Sequence, residues 1–216
     1  ADVILIEKVG VPDVMRITGA LVGDQSGSWV QMHRNKRGLD LDIRTDTGRS
    51  ILKQLVSTAD VFIQNFRPGV AERLSIGYED LKLINPELIY LSVSGFGPDG
   101  PYSGRPVYDP IIQAMSGMTE AQNGTYVKAV VADKTTAMTG VNAVLSALWA
   151  RSNGVGGQHV EINLMDCMLH WMWLEVFWIE AVPDAEPTPT YSDWYEPWST
   201  SDGQIAVNWV NYEQYK

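Results

Sequence analysis

The chain has 216 residues, enough to bury a substantial core as one large α/β domain or as one domain and the start of a second. Its formal net charge of −10, from 26 acidic and 16 basic residues, argues against nucleic-acid or anionic-membrane partners, which require a cationic face. Cys167 is the single cysteine and no Cys/His cluster has metal-ligand spacing, so no disulfide framework or metal site is expected and the reducing cytoplasm is the expected compartment.

The opening segment Ala1-Asp-Val-Ile-Leu-Ile-Glu7 reads at once as a strand, with no initiator Met and no signal peptide. Strands are also expected at Leu39 to Ile43, Val61 to Ile63 and Leu88 to Val93, and the stripe Ile51, Leu52, Leu55, Val56 predicts a helix between two of them. Tyr78 to Ile84 is expected to be helical and to stop before Asn85-Pro86. Glycine and proline crowd Gly95 to Gly104 into a loop, and Asn123-Gly124 predicts a tight turn. Thr135 to Arg151 reads as a buried, closely packed helix with Gly140 in its middle, ending at Asn153-Gly154.

After Gly154-Val-Gly-Gly157, His159 to Leu164 alternates with period 2, and a helical pattern runs from about Met165 to Ile179, with Asp166 on the junction. The longest apolar candidate, Met165 to Ala181, carries Asp166, His170, Glu175 and Glu180 and does not suit a bilayer. The expected organisation is a large α/β domain over 1–182, a proline-rich linker over 183–198 and the start of a smaller domain over 199–216. Gly203 to Asn208 reads as a strand just entered, so both ends are expected to be cut through structure.

Four stretches are chemical candidates. Gly95-Phe-Gly-Pro-Asp-Gly100 fits G-x-G-x-x-G, but Pro98 and Pro101 break the helix that a dinucleotide site needs, so a surface loop is expected. His33-Arg34-Asn35-Lys36-Arg37 is the densest positive cluster, suited to phosphates or simply to a solvated face. Asn65-Phe-Arg-Pro-Gly69 follows a strand, where α/β ligand sites gather; it is open to a nucleotide or to an ordinary turn. Asp166 at a helix start reads as a cap, and the same place would keep a nucleophilic carboxylate ionised and aimed, so the two readings are compatible. Trp171, Trp173, Phe177 and Trp178 are expected in the core or at a subunit interface rather than as a substrate wall.

In order and spacing, Ala59-Asp-Val-Phe-Ile-Gln-Asn-Phe-Arg-Pro-Gly69, Leu83-Ile-Asn-Pro-Glu-Leu-Ile-Tyr-Leu-Ser-Val-Ser-Gly-Phe-Gly-Pro-Asp-Gly-Pro-Tyr102, Tyr108-Asp109, Ala132-Asp-Lys134, Gly156-Gly-Gln-His-Val-Glu161 and Met165-Asp166 resemble the family III CoA-transferases, or CaiB/BaiF type. That superfamily also holds formyl-CoA transferases and α-methylacyl-CoA racemases. The resemblance implies a Rossmann-like parallel sheet in the large domain, a smaller second domain, an interlocked homodimer and an acyl-CoA:carboxylate CoA-transferase. It implies that Asp166 attacks the acyl-CoA to give an aspartyl-acyl anhydride and then an aspartyl-CoA thioester. It assigns CoA contacts to Lys8, Leu41, Asp42, Ile43, Arg44, Asn65, Phe66, Arg73, Arg105 and Tyr108, and auxiliary roles to Asp109 and Tyr108. No metal and no cofactor beyond CoA itself is expected, and the partners are an acyl-CoA and an acceptor carboxylic acid.

Racemases of the superfamily pair the aspartate with a histidine, and Tyr108 stands at that position; a phenol is the weaker base at neutral pH, which favours transfer. Set against the resemblance, the family's usual opening strand and helix are expected to be missing from this stretch of sequence. A CoA-binding fragment without turnover is the alternative from a different class.

Overall fold

The computed structural model describes residues 1–206 apart from 12, 24, 178–180, 183, 185, 187–194 and 196. Its strands are β1 (Val3–Glu7), β2 (Leu21–Val22), β3 (Gln25–Ser26), β4 (Lys36–Asp40), β5 (Val61–Gln64), β6 (Ile89–Ser94), β7 (Gln158–Asn163), β8 (Pro197–Ser199) and β9 (Gln204–Ala206). Its helices are α1 (Gly27–Met32), α2 (Asp46–Val56), α3 (Val70–Arg73), α4 (Tyr78–Lys82), α5 (Asp109–Met115), α6 (Met118–Ala121), α7 (Val131–Ser152), α8 (Leu164–Trp171) and α9 (Trp173–Val176). β1 and β4 pair in parallel, with Val3 opposite Lys36 and Glu7 opposite Asp40, and β5-β6-β7 form a three-stranded sheet. The mixed α/β architecture agrees with the sequence expectation. Most of the expected linker and the residues after Ala206 lie outside the described residues.

The described residues divide into two compact units: 1–62, 69–90 and 149–159 in the first, and 63–68, 91–148 and 160 onward in the second. In the first unit, Thr45 caps α2 by accepting the Gly48 N–H at 3.0 Å, and the four-residue spacing of Leu52 and Val56 turns both into the core. Asn85, three residues past the end of α4, donates to the carbonyls of Val56 and Ala59 at 3.0 and 2.8 Å, fixing the exit from α2. Tyr90 is buried, with its hydroxyl donating to the Ile76 carbonyl at 3.0 Å and its ring against Phe62, Tyr78 and His159. Gly157 is required by close approach: a Cβ there would lie 2.4 Å from the Pro86 carbonyl oxygen and 2.6 Å from that of Leu88.

In the second unit, Ile112, Met118, Ala132, Met168 and Met172 form the core, with Phe96, Val107, Leu164 and Met165 packed around it. α7 packs through its small residues, because Gly140 lets the Ile162 and Leu91 side chains approach to 3.1 and 3.4 Å of where a Cβ would be.

Four details differ from the sequence reading. The strand expected over Leu39 to Ile43 instead runs Lys36–Asp40, because pairing with β1 fixes its register and Thr45 begins a helix cap immediately after the turn. α7 is buried along one stripe only, since Met138, Val141, Leu145 and Trp149 are all exposed on its other face. The helix expected to run to Ile179 is interrupted at Met172, whose side chain is buried in the core cluster. The core half of the tryptophan expectation does not hold, since Trp171 and Trp173 are more than half exposed on this chain, and Trp178 lies outside the described residues. Among the described residues no helix is long and apolar enough to cross a membrane.

Candidate active site

β7 delivers Asn163 to the start of α8, and Asn163 rather than Asp166 is the N-cap: its side-chain Oδ1 accepts the Asp166 backbone N–H at 2.8 Å. The cap reading of Asp166 is therefore replaced. Asp166 stands at the third helical position with its side chain exposed, where the N-terminal end of the helix favours a negative charge. The Asn163 Nδ2 group donates to Asp166 Oδ2 at 2.6 Å. Because Asn163 Oδ1 is engaged by a backbone N–H, the orientation of this amide is fixed by its own hydrogen bonds. Among the described residues nothing hydrogen-bonds to the other carboxylate oxygen, Oδ1. Asn163 is 9% exposed while the carboxylate it holds is open, so a buried donor supports an accessible acceptor.

The glycine-rich loop supports this junction. Gly95 accepts the Met165 N–H at 3.1 Å, and Gly97 adopts the left-handed backbone, at φ +83°. No helix begins at Gly100, in agreement with the loop expected from Pro98 and Pro101. In the same unit, Arg105 lies over the Tyr102 ring at 4.5 Å and is exposed. Tyr108 is 78% exposed and precedes α5, while Asn65 is exposed and Phe66 half-buried just after β5. Asp109 is buried and committed, accepting from Gln113 Nε2 at 2.6 Å and from the backbone N–H groups of Ala132 and Asp133 at 2.7 and 3.1 Å. Burial, and secondarily the Asp109 charge, pushes the Asp133 carboxyl up from its ordinary value.

In the first unit, Lys8 follows β1 and Leu41, Asp42, Ile43 and Arg44 follow β4, at the carboxyl ends of parallel strands. Arg44 clasps Asp42 through Nε and Nη2, each at 2.8 Å, and donates its backbone N–H to the same carboxylate at 3.1 Å. These bonds, led by the guanidinium and assisted by Lys8, hold the Asp42 carboxyl at about 2. The turn tolerates no side chain at Gly48, where a Cβ would lie 2.0 Å from the Asp42 carbonyl oxygen. Leu41 is buried; Lys8, Arg44 and Arg73 are exposed. Within the basic cluster, Arg37 pairs with Asp2 at 2.7 Å and His33 lies against the Trp29 ring at 3.8 Å, and burial lowers the imidazole's proton affinity. A shallow depression of ≈ 540 Å³ lies along α2 among Asp46, Arg49, Lys53 and Ile84 and includes none of the candidate residues.

Asn163 was not singled out from the sequence, although an Asn three residues before an Asp at a strand-to-helix change is a legible cap signal. Gln113 was also missed: its i,i+4 spacing from Asp109 is legible, but its other partners, the carbonyls of Val127 and Ala129 and the Val127 N–H, lie more than a dozen positions on.

The model of CoA-transferase family III matches residues 1–216. An acetyl-CoA:oxalate CoA-transferase of Acetobacter aceti is 38% identical over 178 residues, 80% of this chain and 46% of that protein. The human succinyl-CoA:glutarate CoA-transferase is 31% identical over 228 residues, 100% of this chain and 51% of that protein. A crystal structure of a CaiB/BaiF family protein from Brucella suis superposes with a TM-score of 0.86 at 32% identity, covering 99% of this chain and 60% of that one. The chain thus spans about half the length of the curated relatives it matches. With its motifs matched from end to end and its fold shared with a solved member, the chain belongs to CoA-transferase family III.

Proposed function

We propose that the protein to which this chain belongs transfers CoA from an acyl-CoA to a carboxylic acid, with Asp166 as the nucleophile. The observation that carries this is the exposed Asp166 carboxylate, which is freed from capping by Asn163 and has one oxygen unoccupied among the described residues. Asp166 Oδ1 attacks the thioester carbonyl, the carbon–sulfur bond breaks, and CoA leaves as the thiolate, giving a mixed anhydride. The thiolate then attacks the aspartyl carbonyl carbon and expels the donor's carboxylate, leaving an aspartyl-CoA thioester. The acceptor carboxylate repeats these steps in reverse order, so the charge carried by carboxylate and thiolate is conserved at each stage. Water must be excluded while the anhydride exists.

By family resemblance, the CoA contacts proposed within the first unit are Lys8, the Leu41 to Arg44 turn and Arg73, and those proposed within the second, taken by itself, are Asn65, Phe66, Arg105 and Tyr108. The cations suit its phosphates and Phe66 suits its adenine. No other cofactor takes part. Relatives named for oxalate and glutarate support dicarboxylic acids as the first acceptors to test. An interlocked homodimer belongs to the same proposal by family resemblance, and a cytoplasmic location by the single cysteine.

The test is to incubate the full-length protein with acetyl-CoA or succinyl-CoA and hydroxylamine, then map modification by mass spectrometry. A hydroxamate at Asp166 supports the proposal, and one elsewhere, or none, refutes it.

A further inference from the structure

The geometry points to Asn163 as a further catalytic residue: its Nδ2 group keeps one oxygen of Asp166 out of the exchange and stabilises the oxyanion that forms on that oxygen. This rests on Asp166 being the nucleophile. Two contacts carry it. Asn163 Oδ1 is locked by the Asp166 backbone N–H at 2.8 Å, so Nδ2 faces the carboxylate and donates to Oδ2 at 2.6 Å. Asn163 is buried, so the donor is held before any reaction begins.

The two carboxylate oxygens are thereby made unequal. Oδ1 is the attacking atom and becomes the bridging oxygen of the anhydride, while Oδ2 becomes the aspartyl carbonyl oxygen. When the thiolate attacks the aspartyl carbon, the carbon–oxygen π electrons move onto Oδ2, directly against the Asn163 N–H. The bond from the aspartyl carbon to Oδ1 then breaks, and Oδ1 departs with the donor's carboxylate. When the acceptor carboxylate attacks the aspartyl-CoA thioester, charge again gathers on Oδ2, and the thiolate leaves. The acceptor contributes the new bridging oxygen, which stays on Asp166 when the thiolate takes the acyl group. Each turnover therefore replaces the oxygen at the Oδ1 position, and Oδ2 is retained for as long as Asn163 prevents the carboxylate from turning over.

This predicts an isotope count. The full-length protein is taken through many turnovers with acetyl-CoA and oxalate, or succinyl-CoA and glutarate, with both oxygens of each acceptor carboxyl group replaced by oxygen-18. The peptide containing Asp166 is then weighed. The wild-type protein is expected to take up one heavy oxygen at Asp166 and no more. The variant N163S keeps a good helix cap but loses the donor, so it is expected to take up two, with kcat lowered about 10²-fold and KM within about twofold of wild type. A residue acting only as a cap would leave both the count and kcat unchanged in N163S. Two heavy oxygens in the wild-type protein, or one in N163S, would overturn the role of Asn163 and leave Asp166 as nucleophile. No heavy oxygen in the wild-type protein would overturn both. The wild-type count needs no variant to fold, and thermal melting of N163S checks that its cap is intact.

Discussion

The carboxylate of Asp109 accepts the backbone N–H of Ala132 at 2.7 Å, so a residue opening α5 caps the first turn of a helix that begins more than twenty positions later. With the Asp133 N–H at 3.1 Å and Gln113 Nε2 at 2.6 Å, this carboxylate has three donors around it and ties α5 to α7 inside the second unit. The buried charge is satisfied by hydrogen bonds and by the positive end of α7.

Asp109→Ala is therefore expected to strand buried donors and to cost about 3 kcal/mol. Chemical denaturation measures the loss, and amide hydrogen exchange should show lost protection in the first turn of α7. Unchanged stability would mean that the carboxylate does not carry this junction.

Asp166→Asn is expected to abolish covalent labelling by acyl-CoA while leaving the fold intact. Asn163 still caps α8, so the only stabilising loss is the charge near the helix N-terminus, about 0.5 kcal/mol. Mass spectrometry and thermal melting run on the same sample check both halves. A large fall in melting temperature would show that Asp166 is structural.

Gly48→Ala is expected to displace the Leu41 to Arg44 turn, because its new Cβ would meet backbone 2.0 Å away rather than a movable side chain. If that turn grips CoA, the dissociation constant for CoA should rise about tenfold, a change of about 1.4 kcal/mol. Isothermal titration calorimetry reads it directly, and unchanged affinity would remove the turn from the CoA site.

The Asp42 and Arg44 pair sets a pH window. The Asp42 carboxyl is held at about 2 against an unperturbed 3.8, so the stability it contributes is fully present above the unfolded value and is lost as pH falls through about 2. The difference in stability between wild type and Asp42→Asn, followed by denaturation from pH 6 downward, should hold above pH of about 4 and shrink below it. Both side chains are solvent-facing, so the difference should be small and diminish with added salt. A difference that grew as the pH fell would contradict the assignment.

The amino-acid sequence alone determined the alternation of strands and helices, the loop over Gly95 to Gly104 and the family to which the chain belongs. These are local matters: apolar period, proline's missing N–H and the order of short motifs are all readable along the chain. It also brought Asp166 forward as the candidate nucleophile. Only the tertiary structure decided that β4 begins within the basic run, that one face of α7 is exposed, and that Asp109 is spent on another helix. Strand register and buried hydrogen bonds depend on partners far away in sequence, and periodicity along one segment does not carry that information. Asn163 lies between these cases. Its place as a cap was within reach of the sequence, but which of its two polar atoms faces Asp166 follows from the backbone N–H that fixes the other.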